Sequence, residues 1–307
     1  MHHIHTQTEF AVEMTCGACE KAVNEAMQQL KQTSPPGAVG SVQVDLAEQR
    51  VVVESSLPSS TLLQAIESTG RKTVLRGQGD SFGRNLGSAV SILERDGTQD
   101  VIGVVRFVQI SENECVIEGT LDGLSKGEHG LHIHEYGDLS QGWKSAGGIY
   151  NPKQMPHGPP SKDGGARRKP GAIGNVASDA QGRATFTLSA SQLNVWDIIG
   201  HALVVHERPD DFGLGNAPRS SENGNVGAGV GAGIIARSAG LLGNAKRVCA
   251  CDGKTLWSDS NPGALLPNKR VHIDNNSPPP VARSVSEGKP AIERAMDVTH
   301  PFILSSI

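Results

Sequence analysis

GLHIHEYGD, residues 130–138, is the stretch on which the reading of most of this chain turns. Side chains alternate across an extended strand, so Leu131 and Ile133 face one way and His132 and His134 the other. An apolar face backed by two imidazoles is half of a metal site. Alone it is weak, since strand histidines are commonly surface residues. A third imidazole, His206, ends the apolar run of HALVVHERPDD (201–211). Three neutral imidazoles suit copper or zinc, and a metal-free buried imidazole cluster is the plain structural alternative.

Outward from this strand, short apolar-alternating runs recur between glycine-rich turns: SAVSILER (88–95), VIGVVRFVQI (101–110), ECVIEGTL (114–121), RATFTLS (183–189) and GAGIIARS (231–238). With almost no helical pattern among them, they predict an all-β Greek-key barrel or sandwich over residues 83–240. The stretch from Gly137 to Gly174 is too long for a turn and predicts an organised loop. Cys115 reads as a small buried hydrophobe, and His129, His201, His272 and His300 show no partner pattern.

Residues 1–80 carry both periodicities. EFAVEM (9–14), VGSVQVDL (39–46), RVVVES (50–55) and KTVLRG (72–77) read as strands. Ala22, Val23, Ala26, Met27 and Leu30 recur at helical spacing, as do Leu62, Leu63 and Ile66. The order is βαββαβ, a ferredoxin-like α+β module, with GQGDSFGRNLG (77–87) as the linker to the barrel. Residues 241–307 are rich in proline and serine and predict a largely disordered tail.

The chain has five cysteines in 307 residues, four of them in close pairs. In MTCGAC (14–19), Cys16 and Cys19 fall at a strand-to-helix junction, where free N–H groups and the helix dipole favour thiolates. Two facing thiolates suit a soft ion such as Cu(I), whereas zinc would ask for four ligands. A thioredoxin-like redox pair uses the same spacing but needs a longer α/β domain. Arg71 and Lys72 precede the last strand and could offset the charge of a bis-thiolate site, or simply solubilise the surface. In KRVCACDGKTLW (246–257), Cys249 and Cys251 point the same way if extended, so they can share one Cu(I) or close a strained, exchangeable disulfide. His2, His3 and His5 form an N-terminal cluster that reads as a polar leader.

The net charge is −4 with no basic run, which sets nucleic-acid binding aside. The first ten residues, MHHIHTQTEF, lack an apolar signal core, and no run approaches the ~20 apolar residues of a membrane span. The expectation is a soluble intracellular protein.

The barrel text, GEHGLHIHEYGDLSQG through SAGGIYNP, GAIGNV, VVHERPDDFGLG and NGNVGAGVGAGIIAR, resembles the Cu/Zn superoxide dismutase family. With the M-T-C-x-x-C module before it and C-x-C after it, the whole arrangement resembles the family of copper chaperones for superoxide dismutase. That resemblance implies delivery of Cu(I) to a Cu/Zn superoxide dismutase client, with formation of the client's disulfide. Cys16 and Cys19 would acquire copper, and Cys249 and Cys251 would act on the client with sulfhydryl-oxidase-like chemistry. His132, His134 and His206 would be the copper-type histidines, and Asp210, which matches an orienting aspartate of the dismutase family, would hold His132 or His157 or make a structural hydrogen bond inside its loop. The barrel would dock through a dimer-like face including Gly137–Gly142, Ile199-Gly200 and Ile234-Ile235, which also allows a homodimer. The compartment implied is the cytoplasm, with the mitochondrial intermembrane space as a second.

Departures from a working dismutase accompany the resemblance. Ile149 stands where the family has a bridging histidine, and Lys169 and Ala172 stand at two zinc-ligand positions, leaving His157 of the zinc set. Trp143 and Ala232 replace the disulfide cysteines, and Gly229 replaces the arginine that attracts superoxide. Zinc and dismutase activity are therefore not expected. The alternatives are a copper-only dismutase fused to a metal-loading module, and a plain copper buffer.

Overall fold

The computed structural model describes residues 4–94, 101–159 and 168–243. Its N-terminal module runs β1 (Thr6–Val12), α1 (Gly17–Thr33), β2 (Val39–Asp45), β3 (Arg50–Ser55), α2 (Ser59–Glu67) and β4 (Thr73–Asp80). The strands lie in the order β2-β3-β1-β4, every ladder antiparallel. Cys19, Val23 and Met27 recur every fourth residue on α1 and bury one stripe. Ser34-Pro35-Pro36 ends that helix, the Ser34 N–H still donating to the Leu30 carbonyl at 2.9 Å. Leu62 and Ile66 of α2 join the same core as Phe10, Val12, Val51 and Val53. This is the expected βαββαβ module.

Two boundaries differ from the sequence reading. Strand β1 stops at Val12, although Met14 beyond it stays buried. Strand β4 runs on to Asp80, so the first four residues of the expected linker are strand, with Asp80 opposite Thr6. Gly77-Gln78-Gly79-Asp80 has no apolar alternation to advertise it. Polar contacts hold it instead: Asp80 accepts from the Phe82 and Arg84 N–H groups and pairs with the Arg84 guanidinium at 2.6 Å.

The second module contains β5 (Ser88–Leu93), β6 (Ile102–Ser111), β7 (Glu114–Asp122), β8 (Gly127–Ile133), β9 (Ser140–Trp143), β10 (Ala172–Ser178), β11 (Ala184–Ser191), β12 (Ala202–His206) and β13 (Gly229–Arg237). Eight of these pair in the order β10-β8-β12-β13-β5-β6-β7-β11. Edge strands β10 and β11 pack beside one another, so the sheet nearly closes into a barrel. β13 makes the corner: its first part pairs with β12 and its last three residues pair with β5. The interior is Leu93, Val105, Phe107, Ile117, Leu121, Leu131, Ile133, Leu203 and Val205 with their neighbours. The loop after β8 is organised, as expected. It folds back so that Tyr150 N–H donates to the Ile133 carbonyl and Ile149 bridges His134.

Polar contacts join the modules. Glu118 of β7 accepts from the Ser59 N–H at the start of α2 (2.7 Å) and from Gln78 Nε2 (2.9 Å). Across its own ladder Glu118 faces Arg106. After β13 the chain returns to the first module: Leu241 N–H donates to the Gln78 carbonyl at 2.9 Å and Leu242 N–H to Glu9 Oε2 at 2.7 Å. Gly77 makes this possible, because a Cβ there would collide with the Gly240 carbonyl. Among the described residues no helix is long and apolar enough to cross a membrane. Of the expected tail, residues 241–243 are described and pack on the first module; the rest, with Cys249 and Cys251, lies outside the described residues.

Candidate metal centres

The first centre is set at the helix start. Cys16 is the N-cap of α1, its extended backbone (φ −158°, ψ 166°) placing its carbonyl to accept from the Cys19 N–H at 2.9 Å. The two Sγ atoms stand 3.5 Å apart, with Cys16 exposed and Cys19 buried. Hydrogen bonds from the Thr15 backbone, then from Cys16 and the Thr15 hydroxyl, lower the Cys19 pKa to about 6 against the effect of burial. Cys19 is therefore a thiolate at neutral pH. The loop is held from outside: Gln49 Nε2 donates to the Met14 carbonyl and the Glu13 N–H to the Lys72 carbonyl, both at 2.9 Å.

The second centre sits in the barrel wall. His132, His134 and His206 are all buried, and one nitrogen from each lies within 4.8 Å of the others. Among the described residues this is the one group of three or more potential ligands so gathered. The register explains it, since His132 is paired with Val204 while His134 and His206 end adjacent strands. A carbonyl only accepts, so the 2.9 Å contact from His134 Nδ1 to Gly147 O fixes the proton on Nδ1 and leaves Nε2 bare. That bare Nε2 faces His206 Nε2 at 3.4 Å. His132 donates from Nε2 to Asp210 at 2.8 Å, leaving its Nδ1 as the ligand atom. His134 Nε2 and His132 Nδ1 thus keep free lone pairs beside the His206 ring, donors of the kind a copper ion takes.

Burial keeps the cluster neutral. It lowers His134 to about 4, against the Gly147 carbonyl, and lowers His132 and His206 as well. Burial opposes ionisation of Asp210, yet the His132 and His157 hydrogen bonds hold its carboxyl far below the usual carboxylate range. The metal-free barrel should therefore weaken in mild acid. His134 keeps its proton off when folded and binds it near pH 6.5 when unfolded, so its contribution is complete above that value and lost by about pH 4. The loss from this residue is on the order of 3 kcal/mol. Urea unfolding of metal-free protein at pH 7, 5.5 and 4.5 checks it; constant stability across that range would contradict the neutral-imidazole assignment.

Asp210 serves both histidines at once, where the sequence left a choice: His157 Nε2 also donates to it at 2.8 Å. His157 Nδ1 is buried without a hydrogen-bond partner. Around it stand no further donors at the two positions that the resemblance singled out. Ala172 has none, and Lys169 Nζ donates to the Glu222 carbonyl at 2.6 Å. Lys169 and the buried Arg168 both direct positive charge toward Asp210.

Two further histidines position the cluster. His129 Nδ1 meets the His206 carbonyl at 2.8 Å, and His201 Nδ1 meets the His134 carbonyl at 2.9 Å. Neither is marked by any local pattern, because their partners lie 77 and 67 residues away. Cys115 is an inert core thiol, pushed up to about 12 by burial. On the outer face, Tyr136, Ile92 and Ile234 are exposed, whereas Ile235 points into the core, so only half of the expected Ile234-Ile235 pair can meet a partner.

A cysteine pair at a helix start, joined to a dismutase-type barrel that keeps three clustered imidazoles, defines a two-module metal-handling protein. Residues 9–72 match the heavy-metal-associated domain, and residues 101–235 match the copper/zinc superoxide dismutase family. The copper chaperone for superoxide dismutase of Rattus norvegicus is 47% identical over 253 residues, covering 82% of this chain and 88% of that one. The Homo sapiens protein of the same name is 46% identical over 251 residues, with the same coverage of 82% and 88%. Superoxide dismutase [Cu-Zn] 5 of Dictyostelium discoideum is 36% identical over 155 residues, 49% of this chain and 98% of its own. The chain belongs to the family of copper chaperones for superoxide dismutase.

Proposed function

We propose that this protein binds copper as Cu(I) at Cys16 and Cys19, docks a Cu/Zn superoxide dismutase through its barrel, and delivers the ion by way of Cys249 and Cys251. The 3.5 Å approach of two sulfurs, one exposed and one buried, carries the reading. A bis-thiolate satisfies a soft monovalent ion, and the exposed sulfur is where an incoming thiolate exchanges. Disulfide formation follows by exchange once dioxygen has taken two electrons and two protons from the emptied pair and closed the Cys249–Cys251 disulfide. A client thiolate attacks the Cys249–Cys251 bond, a mixed disulfide forms, and the client's second thiolate displaces it. One disulfide breaks and one forms, and the chain leaves as the dithiol, so each oxidised chain serves one client.

Dismutase turnover is not part of this function. Ile149 supplies no bridging imidazole and Gly229 supplies no cation. The donors around His157 do not fit a tetrahedral zinc ion. His132, His134 and His206 do fit copper, which they would hold through imidazole nitrogens. The copper-only dismutase reading rests on that cluster alone and explains neither thiol pair, and a copper buffer would not use the second pair. Work on an intracellular client places the protein in the cytoplasm, with the mitochondrial intermembrane space as a second compartment.

The test is incubation of Cu(I)-loaded protein with reduced apo-dismutase, reading client activity and disulfide state. Active, oxidised client is expected. Cys16→Ser with Cys19→Ser should remove the first module's copper and slow activation at limiting copper. Unchanged copper stoichiometry in that variant would remove the basis of the proposal.

A further inference from the structure

We infer that Trp143 is the cover of the histidine cluster, making copper held there slow to leave and closed to small anions. The inference rests on the reading that His132, His134 and His206 bind copper, and it concerns what controls access to them. His206 closes β12 directly across from Gly229, the first residue of β13. A side chain at position 229 would thus be the imidazole's cross-strand neighbour. Position 229 has none, and the space is taken: a Cβ built there would lie 2.5 Å from Trp143 Cγ. The indole stands edge-on to the His206 ring, centroids 6.4 Å apart at 71°. It is seated on Ala146, Ala202, Val204 and Ala232, a patch of small side chains that leaves room for it.

The three substitutions noted in the sequence, Trp143, Gly229 and Ala232, are therefore one steric unit. An indole fits only if position 229 has no side chain and position 232 a small one. The same exchange alters the chemistry of the approach. A guanidinium at position 229 would draw anions toward the imidazoles, and the indole excludes that side chain. In its place stand a neutral edge and a π-face that favours cations. Gly229 is thus constrained by sterics, at a point where the β12–β13 register shifts by one residue between Val205 and His206. All three imidazoles are at least 96% buried behind this arrangement, as a holding site requires.

The test uses the full chain carrying Cys16→Ser, Cys19→Ser, Cys249→Ser and Cys251→Ser, so that copper can reach only the histidines. Copper analysis, with His134→Ala as control, examines the site itself: if the parent takes up no histidine-dependent copper, the underlying reading fails. Given that uptake, release to the chelator bathocuproine disulfonate examines the cover. Trp143→Ala should speed release about tenfold at unchanged stoichiometry, and Trp143→Phe should do so less. Copper titration should quench tryptophan fluorescence in the parent and largely spare it in Trp143→Phe, although Trp196 and Trp257 remain. Gly229→Ala should also speed release, by displacing the indole, but add little when combined with Trp143→Ala. Histidine-bound copper whose release is indifferent to every one of these changes would overturn the proposal. If Trp143→Ala fails to fold, the release and quenching of Trp143→Phe decide alone.

Discussion

A chain carrying Cys249→Ser and Cys251→Ser should fold, load copper at Cys16 and Cys19 and dock its client, yet leave client activity and client disulfide at the level of client incubated alone. Two cysteines one residue apart are poor structural elements. On an extended chain two such sulfurs would point the same way, and a disulfide closed across a single residue would be strained, hence a ready donor in exchange. No other thiol among the described residues can take over. Cys115 is buried, with its pKa pushed up to about 12, and Cys16 and Cys19 are occupied by the cargo. Urea unfolding, copper analysis and gel filtration with the client should all match the unsubstituted chain. Fully active, disulfide-bonded dismutase made from reduced apo-enzyme by this variant would end the role assigned to the pair.

Ile234→Asp should abolish client docking while leaving the barrel intact. Ile234 is 38% exposed, whereas Ile235 beside it lies in the core, so the change falls on the outer surface and should cost under about 0.5 kcal/mol of stability. In a dimer-like interface the same carboxylate would be buried without a partner. A penalty of about 3 kcal/mol there weakens binding by roughly a hundredfold. Gly200 is a poorer target, because its φ of +89° strains any side-chain-bearing residue and would confuse docking with folding. Sedimentation of the variant with apo-dismutase, and its activation assay, provide the readout. Normal activation would move the docking surface elsewhere.

What could be read in the sequence was what is local. The βαββαβ order follows from two clean periodicities, and MTCGAC puts its sulfurs at a helix start by spacing alone. His132 and His134 share a face by strand alternation. His206 joins them because β12 lies beside β8, which the runs suggested without fixing. The rest depends on tertiary register. Asp210 gripping two imidazoles, His129 and His201 holding the backbone of the cluster, and Trp143 over Gly229 all join residues dozens of positions apart. Gln78 and Glu118 fasten the modules through polar groups that leave no trace in hydropathy, which is why the end of β4, residues 78–80, was read as linker.

The return of residues 239–243 to strands β1 and β4 has a kinetic meaning. Gly243 is six residues from Cys249, so covalent geometry keeps that sulfur within ~20 Å of the place where the chain leaves the copper-collecting module. The second thiol pair is thus leashed to the first module, even though the barrel separates them in sequence. Encounters between the pair and any group inside that radius are first order, at millimolar or greater effective concentration whatever the protein's abundance. Handing on a scarce ion then depends on the length of the leash and on the contacts that Glu9 and Gln78 make at its root.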